Sequence, residues 1–181
     1  MSQWNREGLP YKGWTCVNVV DLGEDVWEDD EIKYEQCEWC GNEKIRYIHV
    51  MKHPDFRGEL NVGCVCAEKM TDDYVNPRRV EGELRKKASR RTTFLRQKWN
   101  YNPTKQTYTI KYKGEYITIM KSRYDNSWGV YYNNHKIWDV NGRKICSFDD
   151  AVKVAFNVFD EFHMTQDERE YQFRRHQMGL E

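Results

Sequence analysis

With 181 residues, 39% of them hydrophobic and 14% aromatic, the chain has material for one large or two small domains around a modest core. Its 29 Lys and Arg balance 29 Asp and Glu, giving a formal net charge of zero, and no stretch approaches the ~18 consecutive apolar residues of a membrane span. The start, Met1-Ser2-Gln3-Trp4-Asn5-Arg6, lacks the apolar run of a secretion signal, so a cytoplasmic protein without membrane contact is expected.

The charge is unevenly placed. Residues 21–43 hold ten acidic side chains against Lys33 alone, a balance of −9, whereas residues 76–105 hold ten basic ones against Glu81 and Glu83, a balance of +8. Clustered Lys and Arg gain affinity for phosphates by releasing counterions, so the basic stretch points to nucleic acid. The acidic stretch offers a surface for a cationic protein partner.

In chain order, residues 1–75 read as a metal-bound module. A strand is expected over 13–22, where Trp14 and Cys16 alternate with smaller or polar residues. Cys37-Glu38-Trp39-Cys40 ends in Gly41, whose freedom lets backbone amides turn toward the sulfurs, and Cys64-Val65-Cys66 follows after 23 residues. Between them, strands over 45–51 and 59–62 flank the turn His53-Pro54-Asp55-Phe56-Arg57-Gly58, a hairpin that brings the cysteine pairs together. Thiolates two or three residues apart can share one ion at about 2.3 Å, so Cys37, Cys40, Cys64 and Cys66 are the expected ligands of a structural Zn2+. The one-residue gap in the second pair is tight, which leaves His49 or His53 as alternates in a Cys3His set. Cys66 is expected to open a short helix.

Asn76-Pro77 marks the start of a basic helix over 76–102, with Asn76 as its cap. Val80, Leu84, Ala88, Leu95 and Trp99 form its apolar stripe. Arg78, Arg79, Arg85, Lys86, Arg90, Arg91 and Lys98 occupy the remainder as candidate phosphate contacts, since planar guanidinium forks suit phosphate geometry. Residues 103–164 then change period. Aromatic and β-branched runs at 107–112, 116–121 and 128–132, separated by Lys113-Gly114 and Asn133-Asn134 and followed by Asn141-Gly142, predict an antiparallel sheet of three to five strands. Ser147, reciprocated by Asp150, caps a helix that covers one sheet face. The other face is a candidate stacking platform, with Lys121, Arg123 and Trp128 named as contacts. Residues 165–181 read as a polar tail. The expected class is therefore α+β: a zinc-bound β-hairpin module, a central basic helix and a sheet packed by one helix.

The motif Cys-x2-Cys, Ile45-Arg46-Tyr47-Ile48-His49, Met51-x-His53-Pro54 and Val62-Gly63-Cys64-Val65-Cys66-Ala67 resembles a group of small, uncharacterised zinc-binding proteins of bacteria and their phages. That resemblance implies zinc and a prokaryotic or mobile-element setting, and no activity. The order of residues 77–162 is similar to double-stranded RNA-binding domains, although Asp149 and Asp150 stand where that family carries lysines; residues 107–162 resemble AP2 and integrase arm-binding domains in topology.

The expected function is non-catalytic binding of DNA or RNA. A second reading is a protein-binding inhibitor or nucleic-acid mimic acting through 21–43. A third is a divergent HNH-like metal-dependent nuclease, since His49, His53, Asp55 and Asn61 lie inside the cysteine frame; it lacks that family's paired histidine, and Glu68 and Lys69 stand where its helix carries a metal-binding histidine.

Overall fold

The structure, a computed structural model, describes residues 8–24 and 32–177. It is an α+β fold that divides into two units, Met1–Ser89 and Arg90–Glu181. In the first unit, β1 (Thr15–Asp21), β2 (Tyr47–Lys52) and β3 (Glu59–Val62) form an antiparallel sheet in the order β1-β2-β3. Helix α1 (Cys64–Thr71) follows β3 directly. Trp14, Met51, Val62, Ala67 and Met70 are buried in its core, with Trp39 against Trp14. Asp21 accepts two hydrogen bonds from the Arg46 guanidinium, at 2.7 and 3.0 Å, which ties the end of β1 to the entry of β2. Of the acidic stretch 21–43, residues 25–31 lie outside the described residues.

Helix α2 (Asn76–Leu95) crosses the boundary between the units, with residues 90–95 in the second. Its cap is Asp73 and not Asn76: the Asp73 carboxylate accepts the amides of Val75 and Asn76 at 2.9 and 3.0 Å and also the Asn76 side chain. The helix ends at Leu95, short of the expected 102, and β4 (Asn100–Asn102) begins the sheet. Its inward stripe also differs. Phe94 is fully buried while Leu95 is half-buried, and Arg91 is buried at a position one turn earlier on the same face.

In the second unit, β4, β5 (Thr107–Tyr112), β6 (Glu115–Lys121), β7 (Trp128–Tyr132) and β8 (His135–Ile137) form a five-stranded antiparallel meander in sequence order. The hairpin turns at Lys113-Gly114 and Asn133-Asn134 have positive φ at both residues, as two-residue turns require. Asn141-Gly142 makes the same turn between β9 (Asp139–Val140) and β10 (Arg143–Lys144). Alternation then assigns the faces. Ile110, Ile117, Ile119 and Val130 point toward α3 (Phe148–Gln177) and meet Ala151, Ala155, Phe156 and Phe159. The Ser147 cap forms as expected, its hydroxyl accepting the Asp150 amide at 3.0 Å and donating to the Asp150 carboxylate at 2.7 Å. Helix α3 continues past residue 164 to Gln177, because the expected tail contains strong helix formers and no Gly or Pro before Gly179.

Phe94 contacts the rings of Trp99, Tyr112, Phe156 and Phe159, with centroids 5.1 to 6.4 Å apart. Phe94→Ala is expected to destabilise the second unit by about 3–5 kcal/mol in urea unfolding followed by circular dichroism, and Leu95→Ala by less than half of that. Equal losses would place the inward stripe where the apolar spacing alone puts it.

Candidate metal centre

Gly41, at φ +77°, closes the turn that follows Cys37-Glu38-Trp39-Cys40, its amide donating to the Cys37 carbonyl at 2.8 Å. The turn is held against β3 from both sides: the Glu38 amide donates to the Asn61 carbonyl at 2.9 Å, and the Asn61 amide donates to the Glu38 carboxylate. Because β3 runs into α1, this clamp brings the turn to the first residues of the helix. The Gly63 carbonyl accepts the amides of Cys66 and Ala67, both at 3.0 Å, and the Gly63 amide points at the Cys37 sulfur at 3.4 Å.

Cys37, Cys40 and Cys66 have their sulfurs within 4.8 Å of one another. Tetrahedral thiolates at about 2.3 Å from a zinc-sized ion would stand about 3.8 Å apart, so the three fit a shared borderline-soft cation. Their protons report the same crowding. The Cys66 thiol donates to Cys37 and, against the effect of burial, the amides of Cys40, Gly63 and Trp39 add to that bond, holding the Cys37 thiol below its ordinary range. The shared hydrogen bond, burial and the Cys37 charge push Cys66 well up. A cation in place of the shared proton relieves both.

Cys64 does not join this cluster. The chain is already helical at Cys64, two residues before the expected start at Cys66, and residues two apart on a helix point about 200° away from each other. Cys64 instead stands with His49 of β2 and Glu81 of α2, again with all three ligand atoms within 4.8 Å. His49 is fully buried, and its Nε2 lies 3.6 Å from the Glu81 carboxylate. Burial opposes its charge, but the Cys16 sulfur, 3.9 Å from Nδ1, and the Glu81 carboxylate outweigh it and raise the imidazole to about 9. Burial, then the carboxylates of Glu81 and Glu68, raises the Cys64 thiol to about 11. Both clusters border one cavity of about 450 Å³, lined by Cys37, Cys40, Cys64, Cys66 and Glu81 among others. Glu81 escaped the sequence reading. Its one signal was being an acid, with Glu83, in a stretch otherwise all basic.

His53, the other alternate ligand, lies elsewhere: its ring packs on Trp14 with centroids 5.3 Å apart, and its Nδ1 accepts the Asp55 amide at 3.0 Å. On the β2–β3 ladder His49 pairs with Val62 and Asn61 with Val50, so the side chains of His49 and Asn61 point to opposite faces of the sheet.

The cations of α2 are largely spoken for within the fold. Arg78 pairs with buried Glu68, Arg79 with Glu83 at 3.0 Å, Arg85 with Glu81 at 2.5 Å and Arg90 with Asp160 at 2.5 Å. Arg91 is buried, while Lys86 and Lys98 are exposed. In the second unit Trp128 points to the α3 side, its ring 5.5 Å from Phe148, so it is no part of the opposite sheet face. Lys121 lies over the Trp128 ring at 5.8 Å, and Arg123 sits in an exposed loop.

No family model, curated protein or solved structure matches the chain. No helix among the described residues is long and apolar enough to cross a membrane.

Cys66→Ser is expected to weaken the first equivalent of Zn2+ bound by the thiol cluster by more than about 100-fold in competition with a chromophoric chelator, and Cys64→Ser to leave that first equivalent unchanged. The reverse pattern would assign Cys64 to the thiol cluster. Cys40→Ala, or stripping with a strong chelator, is expected to abolish the thermal transition of the first unit, because ligand binding supplies folding free energy in a unit this small.

Proposed function

We propose that this is a zinc-stabilised, non-catalytic nucleic-acid-binding protein whose contact surface lies on the second unit. The single observation that carries the reading is the sheet face opposite α3. There Lys111 pairs with Tyr116 across β5 and β6, with its ammonium 5.6 Å from the Tyr116 ring centre. Tyr131 stands between Thr118 and Lys136 on the neighbouring strands. Tyr116 is 66% exposed. Rings alternating with cations supply what a single strand needs: π-faces for bases and positive charge for the backbone. Trp138 lies over the same face, so close to Gly129 that a Cβ there would meet its ring at 2.6 Å.

A cleft of about 550 Å³ in the same unit adds charge. Lys105, Lys121 and Arg123 line it beside Trp138 and the fully exposed Tyr124. The binding surface thus lies on the sheet and its cleft and not on α2, four of whose arginines meet carboxylates of their own fold. The thiol cluster would hold Zn2+ as a structural ion, in keeping with the resemblance to prokaryotic and phage zinc-binding proteins and with action in the cytoplasm on DNA or RNA.

Electrophoretic shifts with labelled single-stranded and duplex DNA and RNA, with and without magnesium, test the reading; binding without cleavage is expected. Replacing Lys105, Lys121 and Arg123 together by alanine should lower the slope of log affinity against log salt by about 2, at ~0.7–0.9 per lost phosphate contact. Arg79→Gln on α2 should leave the slope unchanged. A slope that falls with Arg79 and not with the cleft triple would return the surface to the helix, and an absence of any shift would overturn the proposal.

A further inference from the structure

We propose that His49, Cys64 and Glu81 form a second divalent-cation site, separate from the thiol cluster and open to an exogenous fourth ligand. The three donors come from β2, the first turn of α1 and the second turn of α2, all within the first unit. Their ligand atoms lie within 4.8 Å of one another, close enough to close on one ion.

The buried histidine points to a ligand independently of that spacing. His49 is fully buried, yet its Nε2 makes no hydrogen bond and stops 3.6 Å from a Glu81 oxygen. A buried polar nitrogen left without a bond is costly, and a cation between imidazole and carboxylate would satisfy both. The surroundings are those of a ligating imidazole. Cys16 Sγ lies 3.9 Å from Nδ1, where it can accept that N–H and leave Nε2 with its lone pair toward the ion. The second Glu81 oxygen accepts from Arg85 Nε and Nη2 at 3.1 and 2.5 Å, which orients the carboxylate.

The donor set selects the metal. One imidazole, one thiolate and one carboxylate suit a borderline ion such as Zn2+ or Co2+ better than Mg2+ or Ca2+, which take oxygen shells. A divalent ion on a neutral imidazole, a thiolate and a carboxylate leaves no net charge in the buried site. Three protein ligands leave one tetrahedral position unfilled, and Cys64 and Glu81 both border the 450 Å³ cavity from which water or an anion could reach it.

The test uses the full chain loaded with Zn2+ or Co2+ and counted by elemental analysis after removal of excess metal. Two equivalents are expected for the wild type. Glu81→Gln and Cys64→Ser should each hold one, with the circular dichroism spectrum unchanged. Alkylation mapped by mass spectrometry gives a readout on unmutated protein: the first equivalent should protect Cys37, Cys40 and Cys66, and the second Cys64. One equivalent in the wild type, Cys64 protected by the first equivalent, or two equivalents retained in Glu81→Gln would overturn the proposal. None of these readouts involves nucleic acid, so the outcome is independent of the binding function proposed above.

Discussion

The first unit depends on the point at which the chain becomes helical. With α1 starting at Cys64, Cys66 faces the turn that carries Cys37 and Cys40, and Cys64 faces the other way, toward β2 and α2. Two residues of helix turn through about 200°, and no side-chain rotation of a cysteine spans that difference. If the helix began after Cys66, an extended Cys-x-Cys could place both sulfurs on one side. Gly63 prevents this: its carbonyl takes the amides of Cys66 and Ala67 and commits the chain to helix at once. One backbone carbonyl thus separates four thiols that look like one site into a cluster of three and a lone thiol among different donors.

The charge pattern is subject to a similar distinction between where residues lie in sequence and whom they meet. A helix carrying seven basic residues looks like a phosphate-binding rod. Folded, four of its arginines answer acids: Glu68, 2% exposed, would keep only the long contact from the Cys64 thiol if Arg78 were absent. Removing one member of such a pair leaves an uncompensated charge, whereas exposed pairs such as Arg79 with Glu83 contribute little. The arginines of α2 therefore divide by the burial of their partners, a property absent from charge counts along the chain.

Much of the fold was legible because its signals are local. Period-two alternation located β5, β6 and β7, two-residue turns with Asn or Gly fixed the β5–β6 and β7–β8 hairpins, and the Ser147 cap located the start of α3. The Cys37-x-x-Cys40-Gly41 turn was legible for the same reason, since its geometry is set by five consecutive residues. What escaped depends on distant contacts. Phe94 was missed because Arg91 interrupts the apolar stripe, and arginine is rarely buried without a partner. Trp128 was assigned to the open face because alternation gives two faces without saying which one a helix covers. Glu81 was hidden because nothing in a basic helix signals that one of its two acids turns toward a histidine more than thirty residues earlier.

These long-range contacts share a chemistry. Within the first unit, the contacts that tie α2 to its surroundings are largely polar: Arg78 to Glu68 of α1, Glu81 toward His49 of β2, and Lys87 to Glu24 beyond β1. Apolar packing tolerates small displacements, because many weak contacts are exchanged for others. A buried charge does not, since a shift that breaks the Arg78 bonds leaves the Glu68 carboxylate desolvated and poorly answered. The start of α2 is consequently held in register chiefly at the buried Glu68 and His49, and the exposed Lys87–Glu24 pair adds little. The same helix supplies the carboxylate facing His49, so any ion drawn between them would reinforce a register that the neighbouring salt bridges already select.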